Sequence, residues 1–342
     1  MEPVKFVLVG TGNIANTYVT ATSRVEEARI VAVVSRNLER ARKYADENGL
    51  GAPAESLGSV RVNYEAVMLA TPNGLHHRHA IEAASLGKHV LTEKPLDVSM
   101  KNMHRMIEAC RKADVRLGVS YQRRTSPANI ALKKILEDGL LGKLYATDLA
   151  VKFYRGQDYY DSADWRGTLE IDGGGPFIQQ ASHNVDTITW FFGLPARVAA
   201  KTALLAHSGI EVEDHGAAIL TYPDGMIGTI IASTVGKPGY PVRLEIHAEK
   251  GSVITVNDEI VNWDVEGVPQ PEVETAEVIH SGAGASGVAV TDTSGHEAII
   301  RDFCQAIREK RDPLVSGEEG RKTGLVIDTI YRAAKKGKEI SL

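Results

Sequence analysis

A lysine and a histidine stand out as residues that could move a proton. Lys94 lies in Glu93-Lys94-Pro95, directly after the apolar run HVL and therefore at the carboxyl end of a predicted strand. His183 follows three consecutive glycines in DGGGPFIQQASHNVD, with Gln179 four residues before it. An imidazole can take the proton of a hydroxyl group, and an ammonium can stabilise the negative charge left on its oxygen. The structural alternatives are a proline that ends a strand beside a solvated lysine, and a surface helix that carries a histidine.

The first predicted strand leads through a glycine-rich turn into a helix. A glycine at the start of such a turn permits the tight bend, and a second glycine lets backbone amides approach a pyrophosphate. The helix N-terminus stabilises the negative charge of that group. An ordinary strand–helix turn is the alternative, but this place in a β-α-β sequence favours a dinucleotide. The predicted pyrophosphate site consists of Gly10, Thr11, Gly12, Asn13 and Ile14, followed by Ala15 at a close helix–strand contact.

The end of the second predicted strand bears on the choice of cofactor. NAD-binding chains usually place Asp or Glu there, to hydrogen-bond the ribose 2′-hydroxyl. This chain has Ser35 and Arg36 instead. Because a guanidinium can bind a 2′-phosphate bidentately, the sequence favours NADP over NAD, with a solvated Arg36 as the alternative.

A third group of polar residues follows a later predicted strand. Thr71-Pro72-Asn73 could line the nicotinamide side of the cofactor, and His76 comes directly after them. Further histidines at positions 77 and 79 suggest a metal site. No helical histidine pair with a carboxylate partner is evident, so we expect no bound metal.

The elements that would position these residues change in character after about Arg124. Before it, apolar runs alternate with amphipathic helical runs, which is typical of a parallel sheet with helices on both faces. From residue 197 to residue 261, several runs alternate apolar and polar positions, which is typical of antiparallel strands with one exposed face. We therefore expect an α/β protein: an N-terminal Rossmann domain with a doubly wound parallel sheet over residues 1–123, and a C-terminal α+β domain with an open, largely antiparallel sheet over residues 124–342.

The second domain is expected to carry its catalytic candidates on one helix from Pro176 to Phe192. Proline suits the first helical position. Gln179, His183 and Asp186 would share a polar face opposite an apolar stripe. A Gly/Ser-rich loop, SGAGASG, precedes two closing helices, which could pack back on the first domain.

Bulk composition excludes several classes of protein. The chain has 342 residues, of which 43% are hydrophobic and 24% charged, and a formal net charge of −5. That charge gives no basis for binding nucleic acid or an anionic membrane. The opening stretch predicts a strand rather than a signal peptide, and no apolar run is long enough to span a bilayer. Cys110 and Cys304 lie far apart in sequence, so we expect no disulfide framework and a cytoplasmic protein.

Six motifs occur in order along the chain: GTGNIA, ATPNGLHH, GKHVLTEKPL, YQRR, WRGT and GGGPFIQQASHNVD. Together they resemble the glucose–fructose oxidoreductase, inositol dehydrogenase and MocA (Gfo/Idh/MocA) family over nearly the whole chain. The resemblance implies a nicotinamide-dependent oxidoreductase whose catalytic residues are Lys94 and His183. It also implies an open C-terminal sheet of the kind often used for oligomer contacts, here in a homodimer or homotetramer.

One residue departs from the family pattern. Many members carry Asp four residues before the histidine, where this chain has Gln179. A glutamine can position a hydroxyl group but cannot accept its proton. The Gln179-Gln180 pair and the WRGT motif are more similar to the nucleotide-sugar and pyranose dehydrogenases of the family than to inositol dehydrogenase.

The sequence therefore predicts hydride transfer between a nicotinamide and a secondary alcohol or ketone carbon of a sugar, nucleotide-sugar or related polyol. Aromatic faces suit sugar C–H surfaces, and arginines suit carboxylate or phosphate groups. Candidate substrate contacts are Gln179, Arg124, Tyr154, Arg155, Trp165 and Arg166.

Several alternatives remain open at this point. The same fold could support NAD-dependent cleavage of a glycosidic bond, a diol dehydrogenase, an imine reductase, or a non-catalytic NAD(P)-sensing regulator. A regulator can dispense with the lysine and the histidine, and both are present here.

Overall fold

The computed structural model describes residues 2–273 and 292–342, which form two compact units. The first unit contains residues 2–122 and 292–321, and the second contains residues 123–273 and 322–342. Each unit has a hydrophobic core of its own. The chain passes from the first unit to the second between residues 122 and 123, and residues 292–321 belong to the first unit again. The Gly/Ser-rich loop SGAGASG lies outside the described residues.

The strands and helices alternate first and then separate into longer runs of each type. The strands are β1 (Val4–Val9), β2 (Ala28–Val34), β3 (Pro53–Ala54), β4 (Ala66–Leu69), β5 (His89–Thr92), β6 (Leu117–Val119), β7 (Leu144–Lys152), β8 (Arg197–Ala203), β9 (His215–Thr221), β10 (Ile227–Ser233), β11 (Arg243–Ala248), β12 (Gly251–Val256), β13 (Glu259–Val265) and β14 (Ile340–Ser341). The helices are α1 (Asn13–Ser23), α2 (Leu38–Glu47), α3 (His76–Ser85), α4 (Met100–Lys112), α5 (Pro127–Glu137), α6 (Gln157–Asp161), α7 (Pro176–Gln179), α8 (Ser182–Phe192), α9 (Ser294–Glu309) and α10 (Gly317–Lys336).

The first unit is built on a six-stranded parallel sheet with the order β3-β2-β1-β4-β5-β6. All four residues of β4 are buried, because helices cover the sheet, and this explains the apolar run EAVMLA. The order of the strands reverses between β1 and β4. In open parallel sheets of this type, ligands bind outside the carboxyl ends of the strands at that reversal. The predicted Rossmann arrangement is confirmed.

Helix α9 supplies part of the first core from the far end of the sequence. The ring of Phe303 on α9 is fully buried, with its centre 6.3 Å from that of Phe6. A Cβ atom on Gly118 of β6 would lie 2.9 Å from the Phe303 ring, so a larger residue would force the helix away.

The second unit contains an eight-stranded sheet with the order β13-β12-β11-β7-β10-β9-β8-β14. Only the β7–β10 pair is parallel among these strands, so the sheet is largely antiparallel, as predicted. In β9, Ala218 and Leu220 are buried on one face, whereas Ile219 between them is 53% exposed. The buried face packs against residues of α7, α8 and α10.

The prediction of one helix from Pro176 to Phe192 is wrong, because the segment forms two helices, α7 and α8. The backbone N–H of Ala181 donates to the carbonyl oxygen of Pro176 at 2.8 Å, which is a wider turn than that of an α-helix. Asp186 is also buried rather than on an exposed polar face. Its carboxylate is paired with an arginine that lies far away in the sequence.

Among the described residues, none of the helices combines the length and the apolar character needed to cross a membrane.

Candidate active site

The glycine turn after β1 is tightly packed at Gly10 and open at Gly12. Gly10 has φ of +111°, and a Cβ atom there would lie 2.4 Å from the carbonyl oxygen of Ala70. Around Gly12, at the start of α1, a Cβ atom would meet nothing within 4 Å. The first turn of α1 carries no acidic residue, and Asn13 is exposed. Exposed amides at a helix N-terminus suit a pyrophosphate.

The carboxyl end of β2 presents a positive charge, as the sequence indicated. Arg36 is exposed and precedes Asn37, whose side chain caps α2 by accepting the N–H of Arg40 at 2.9 Å. Burial, together with the smaller effects of the neighbouring His76 and Arg36 charges, lowers the pKa of His79 to about 4, so His79 is neutral at pH 7.

His76 joins the turns that follow β4 and β5. Its ring is fully buried, with Nδ1 2.9 Å from the carbonyl oxygen of Pro95 and Nε2 2.9 Å from that of Thr71. His76 therefore links two loops through both ring nitrogens, and its contact with the cofactor stays a prediction. Thr71 Oγ1 is buried without a hydrogen-bond partner among the described residues, which fits a contact with a bound cofactor.

Lys94 is held by the carboxylate that precedes it. Glu93 is 5% exposed, and its Oε2 accepts the backbone N–H of Lys94 at 3.1 Å. Its other oxygen, Oε1, lies 3.2 Å from Nε2 of His296 on α9. Burial alone would raise the pKa of Glu93, but the hydrogen bond from His296 and the charges of His296 and Lys94 lower it below its ordinary value. Nothing near His296 in the sequence pointed to this contact, because no motif contains it.

A metal-binding cluster of His, Cys, Asp and Glu side chains does not occur in residues 2–273 and 292–342. Two of the histidines that suggested one have protein partners: His76 as above, and His77, whose Nδ1 lies 2.9 Å from Asp97.

In the second unit, two buried carboxylates hold the glycine run before α7. Oδ2 of Asp172 accepts the N–H of Gly167 at 2.7 Å, and Oε2 of Glu213 accepts the N–H of Gly175 at 3.0 Å. A Cβ atom on Gly175 would lie 1.8 Å from the carbonyl oxygen of Glu213, so only glycine fits. The run is therefore fixed at both ends.

Gln179 and His183 follow this frame on α7 and α8. The side-chain amide of Gln179 donates from Nε2 to the carbonyl oxygen of Asp172 at 2.5 Å. His183 lies in the first turn of α8 and is half-buried. The structure places His183 in the second unit and Lys94 in the first.

Arg124 has a structural role that disfavours the predicted substrate contact. It is 2% exposed, and its Nε and Nη2 each donate to the carboxylate of Asp186 at 2.8 Å. Thr323 of α10 donates to the same carboxylate at 2.8 Å. A buried arginine with a bidentate carboxylate partner cannot reach a substrate without leaving an uncompensated charge.

The other predicted substrate residues are half-buried. Arg155 and Arg166 contact the ring of Tyr159. Sequence reasoning missed this residue, since no motif or periodicity distinguishes it from the other tyrosines. The guanidinium carbon of Arg166 lies 4.2 Å from the centre of the Tyr159 ring and 4.9 Å from that of Trp165. Tyr154 directly precedes Arg155 in the sequence and is half-buried as well.

Comparison with known proteins then identifies the family. Residues 4–121 match the oxidoreductase family with an NAD-binding Rossmann fold, and residues 130–254 match the GFO/IDH/MocA C-terminal domain. The chain belongs to the Gfo/Idh/MocA family. It is an NAD(P)-dependent oxidoreductase, and the predicted dinucleotide-binding fold is confirmed.

Three of its relatives cover between 92% and 100% of the chain. The WlbA dehydrogenase from Bordetella pertussis, solved in complex with NADH and UDP-GlcNAcA, is 32% identical, with 99% of each chain covered and a TM-score of 0.87. A WlbA dehydrogenase solved with the same two ligands from a Chromobacterium species is 30% identical, covers 100% of this chain and 96% of its own, and has a TM-score of 0.87. The 1,5-anhydro-D-fructose reductase of Ensifer adhaerens is 26% identical over 92% of this chain and 91% of its own.

Proposed function

We propose that this enzyme interconverts a secondary alcohol and a ketone on a sugar, nucleotide-sugar or related polyol. The observation that carries the proposal is Lys94, half-buried and fixed by Glu93 at the carboxyl end of β5 in an NAD(P)-binding sheet. The similarity to a dehydrogenase solved with a nucleotide-sugar supports the class of substrate.

The glycine turn and the loops after β4 and β5 would hold the cofactor. Gly10 to Ile14 would meet the pyrophosphate, and Thr71 and Asn73 would meet the nicotinamide side. When bound, the nicotinamide accepts or supplies the hydride. The buried Thr71 Oγ1 fits this assignment.

Lys94 and His183 are the proposed catalytic residues. In oxidation, His183 takes the hydroxyl proton, and Lys94 donates a hydrogen bond that stabilises the developing alkoxide. In reduction, the proton returns along the same path. Gln179 positions the hydroxyl and does not accept its proton, since an amide is not a base at neutral pH.

We further propose NADP as the preferred cofactor, a cytoplasmic location and a homodimer or homotetramer. Arg36 at the end of β2 supports the first. Cys110 and Cys304 support the second, because both are free, buried thiols whose pKa burial raises to about 12. The exposed face of the eight-stranded sheet supports the third.

The test is cofactor reduction with isotope-labelled substrates. Purified enzyme is mixed with NAD⁺ or NADP⁺ and a series of sugars and nucleotide-sugars deuterated at their carbinol carbons, and the absorbance at 340 nm is followed. We expect net formation of reduced cofactor and deuterium on its nicotinamide ring. Release of a reducing sugar without net cofactor reduction would instead support transient oxidation during glycosidic cleavage.

A further inference from the structure

Two arginines of the second unit are half-buried against the same aromatic ring. The guanidinium carbon of Arg166 lies 4.2 Å from the centre of the Tyr159 ring, and that of Arg155 lies 5.4 Å from it. The indole of Trp165 contacts Arg166 as well, with its ring centre 4.9 Å from the guanidinium carbon. Aromatic faces attract guanidinium groups, but they do not neutralise their charge.

Neither arginine has a carboxylate partner in the part of the chain that the structure describes. Asp158, Asp161 and Asp164 lie in the same segment, but they are exposed and form no ion pair with either guanidinium. Nε of Arg166 is buried without a hydrogen-bond partner among these residues. Buried donors in proteins nearly always have an acceptor, so a missing acceptor indicates a ligand position.

A rigid hydrogen-bond network holds the backbone of Arg155. Nε2 of His207 lies 2.8 Å from the carbonyl oxygen of Arg155, and Nδ1 of His207 lies 3.0 Å from the buried carboxylate of Asp214. The N–H of Arg155 donates to the carbonyl oxygen of Thr234 at 2.8 Å. Sites whose supporting residues are fixed in this way lose little entropy when a ligand binds.

Asp172 connects this cluster to the candidate base. Gly167, the residue after Arg166, donates its N–H to the carboxylate of Asp172 at 2.7 Å. The carbonyl oxygen of Asp172 accepts Nε2 of Gln179 at 2.5 Å. Gln179 precedes His183 by four residues. The two hydrogen bonds of Asp172 therefore connect the segment of Arg166 with the segment of His183 within the second unit.

We propose that Arg166 and Arg155 bind a negatively charged substituent of the substrate, a carboxylate or a phosphate, and select acidic over neutral sugars. A guanidinium forms paired, charge-assisted hydrogen bonds with either group. Tyr159 holds both guanidinium groups and covers one side of the site. The inference rests on the proposed function only in taking the bound anion to be part of the substrate.

The test measures binding to cofactor-saturated enzyme by isothermal titration calorimetry. The variants are Arg166→Gln and Arg155→Gln. The control is Arg332→Gln, which removes an exposed arginine of the same unit that pairs with Asp328 at 3.2 Å. The probes are UDP-GlcNAcA, UDP-GlcNAc, glucuronate and glucose, which separate the carboxylate from the diphosphate.

We expect Arg166→Gln and Arg155→Gln to weaken binding of the acidic probes about 10- to 100-fold and to change glucose binding less than about 3-fold. The control should leave all four affinities unchanged. A loss confined to the two uronates assigns the site to a carboxylate, and a loss confined to the two nucleotide-sugars assigns it to the diphosphate. Equal affinities of wild type and Arg166→Gln for every acidic probe overturn the inference, as does a wild type that binds no acidic probe more tightly than glucose.

Two further measurements separate failure of this inference from other failures. Arg166→Lys keeps the charge but not the planar fork, and it should give an intermediate loss; it replaces Arg166→Gln if that variant melts early by circular dichroism. Charge-dependent binding without hydride transfer rejects the proposed function alone. Hydride transfer with unchanged kcat/KM for acidic sugars in the arginine variants rejects this inference alone.

Discussion

At the scale of single residues, the backbone of Lys94 is held by the side chain of its neighbour Glu93. Glu93 is buried, remains ionised, and accepts the backbone N–H of Lys94.

Lys94→Ala should therefore reduce turnover by about two to four orders of magnitude, since it removes the donor to the carbinol oxygen. Cofactor affinity should stay nearly unchanged, because the glycine turn lies after a different strand. Steady-state kinetics and cofactor titration by fluorescence check the two parts separately. Wild-type turnover in this variant would contradict the mechanism.

Arg36→Ala should lower kcat/KM for NADP about ten-fold, because it removes a charge-assisted contact to the 2′-phosphate. The value for NAD should change less than about two-fold. Arg40→Ala removes an exposed arginine from the first turns of α2 and serves as the matched control. A variant that loses activity with both cofactors equally would show that Arg36 does not read the 2′-phosphate.

At the scale of elements, α9 matters because it carries His296 to the turn after β5. Tyr18 of α1 meets the same histidine, with ring centres 5.8 Å apart, and donates or accepts a hydrogen bond with Ser120 at 2.6 Å. One helix from the end of the chain thus packs against the groups that hold Lys94.

His296→Leu should destabilise the protein by about 1–3 kcal/mol at neutral pH, since Glu93 would remain buried without its main partner. Without that partner, burial would raise the pKa of Glu93 above its unfolded value, so the folded state loses stability as the pH rises. In the wild type the pKa of Glu93 is lowered, so its ionised carboxylate stabilises the folded state at neutral pH. That contribution is lost only as the pH falls below the ordinary range of a glutamate.

Urea unfolding at pH 5 and pH 8 measures the difference. The gap between wild type and His296→Leu should be larger at pH 8, and His296→Gln, which keeps a donor, should show a smaller gap. A gap that is the same at both pH values would mean that the histidine contributes packing alone.

The elements were predictable where one physical signal determined them. Buried apolar runs between amphipathic helices indicated the parallel sheet. The tight turn at Gly10 was predictable because only glycine fits at that position. The division between α7 and α8 could not be predicted from the sequence. The wide turn at Ala181 depends on packing, and no residue type in the segment marks it.

The site was only partly predictable for a related reason. Lys94, His183, Arg124 and Arg166 lie in recognisable motifs, but the partners that decide their roles are distant in sequence. The ion pair with Asp186 gives Arg124 a structural role, and the side chain of His296 contacts that of Glu93. Such pairs carry no local pattern, so the sequence gives the residue types without the contacts between them.

At the scale of the whole molecule, the second unit offers a face suited to self-association. Ile219 and Ile227 are 53% and 52% exposed on neighbouring strands β9 and β10, and Ile231 lies on the same face. Exposed apolar patches of this kind mark interfaces, and a homo-oligomer would bury the patch symmetrically.

Replacing both Ile219 and Ile227 with Glu should convert the proposed oligomer to a monomer, because the charges would be buried without partners. Leu205→Glu, an exposed apolar position outside the strands, should leave the assembly intact. Analytical ultracentrifugation distinguishes the states of this 37.0 kDa chain. A wild type that sediments as a monomer would refute the assignment.

The position of residues 292–321 in the first unit has a consequence for biosynthesis. As the chain leaves the ribosome, β1 to β6 emerge early but lack Phe303 and His296, which are translated only after strands β7 to β13 of the second unit. The parallel sheet therefore lacks part of its core while the strands of the antiparallel sheet are still being synthesised. A nascent chain arrested before α9 should therefore remain a substrate for chaperones, and expression of residues 1–123 alone should yield an aggregation-prone fragment.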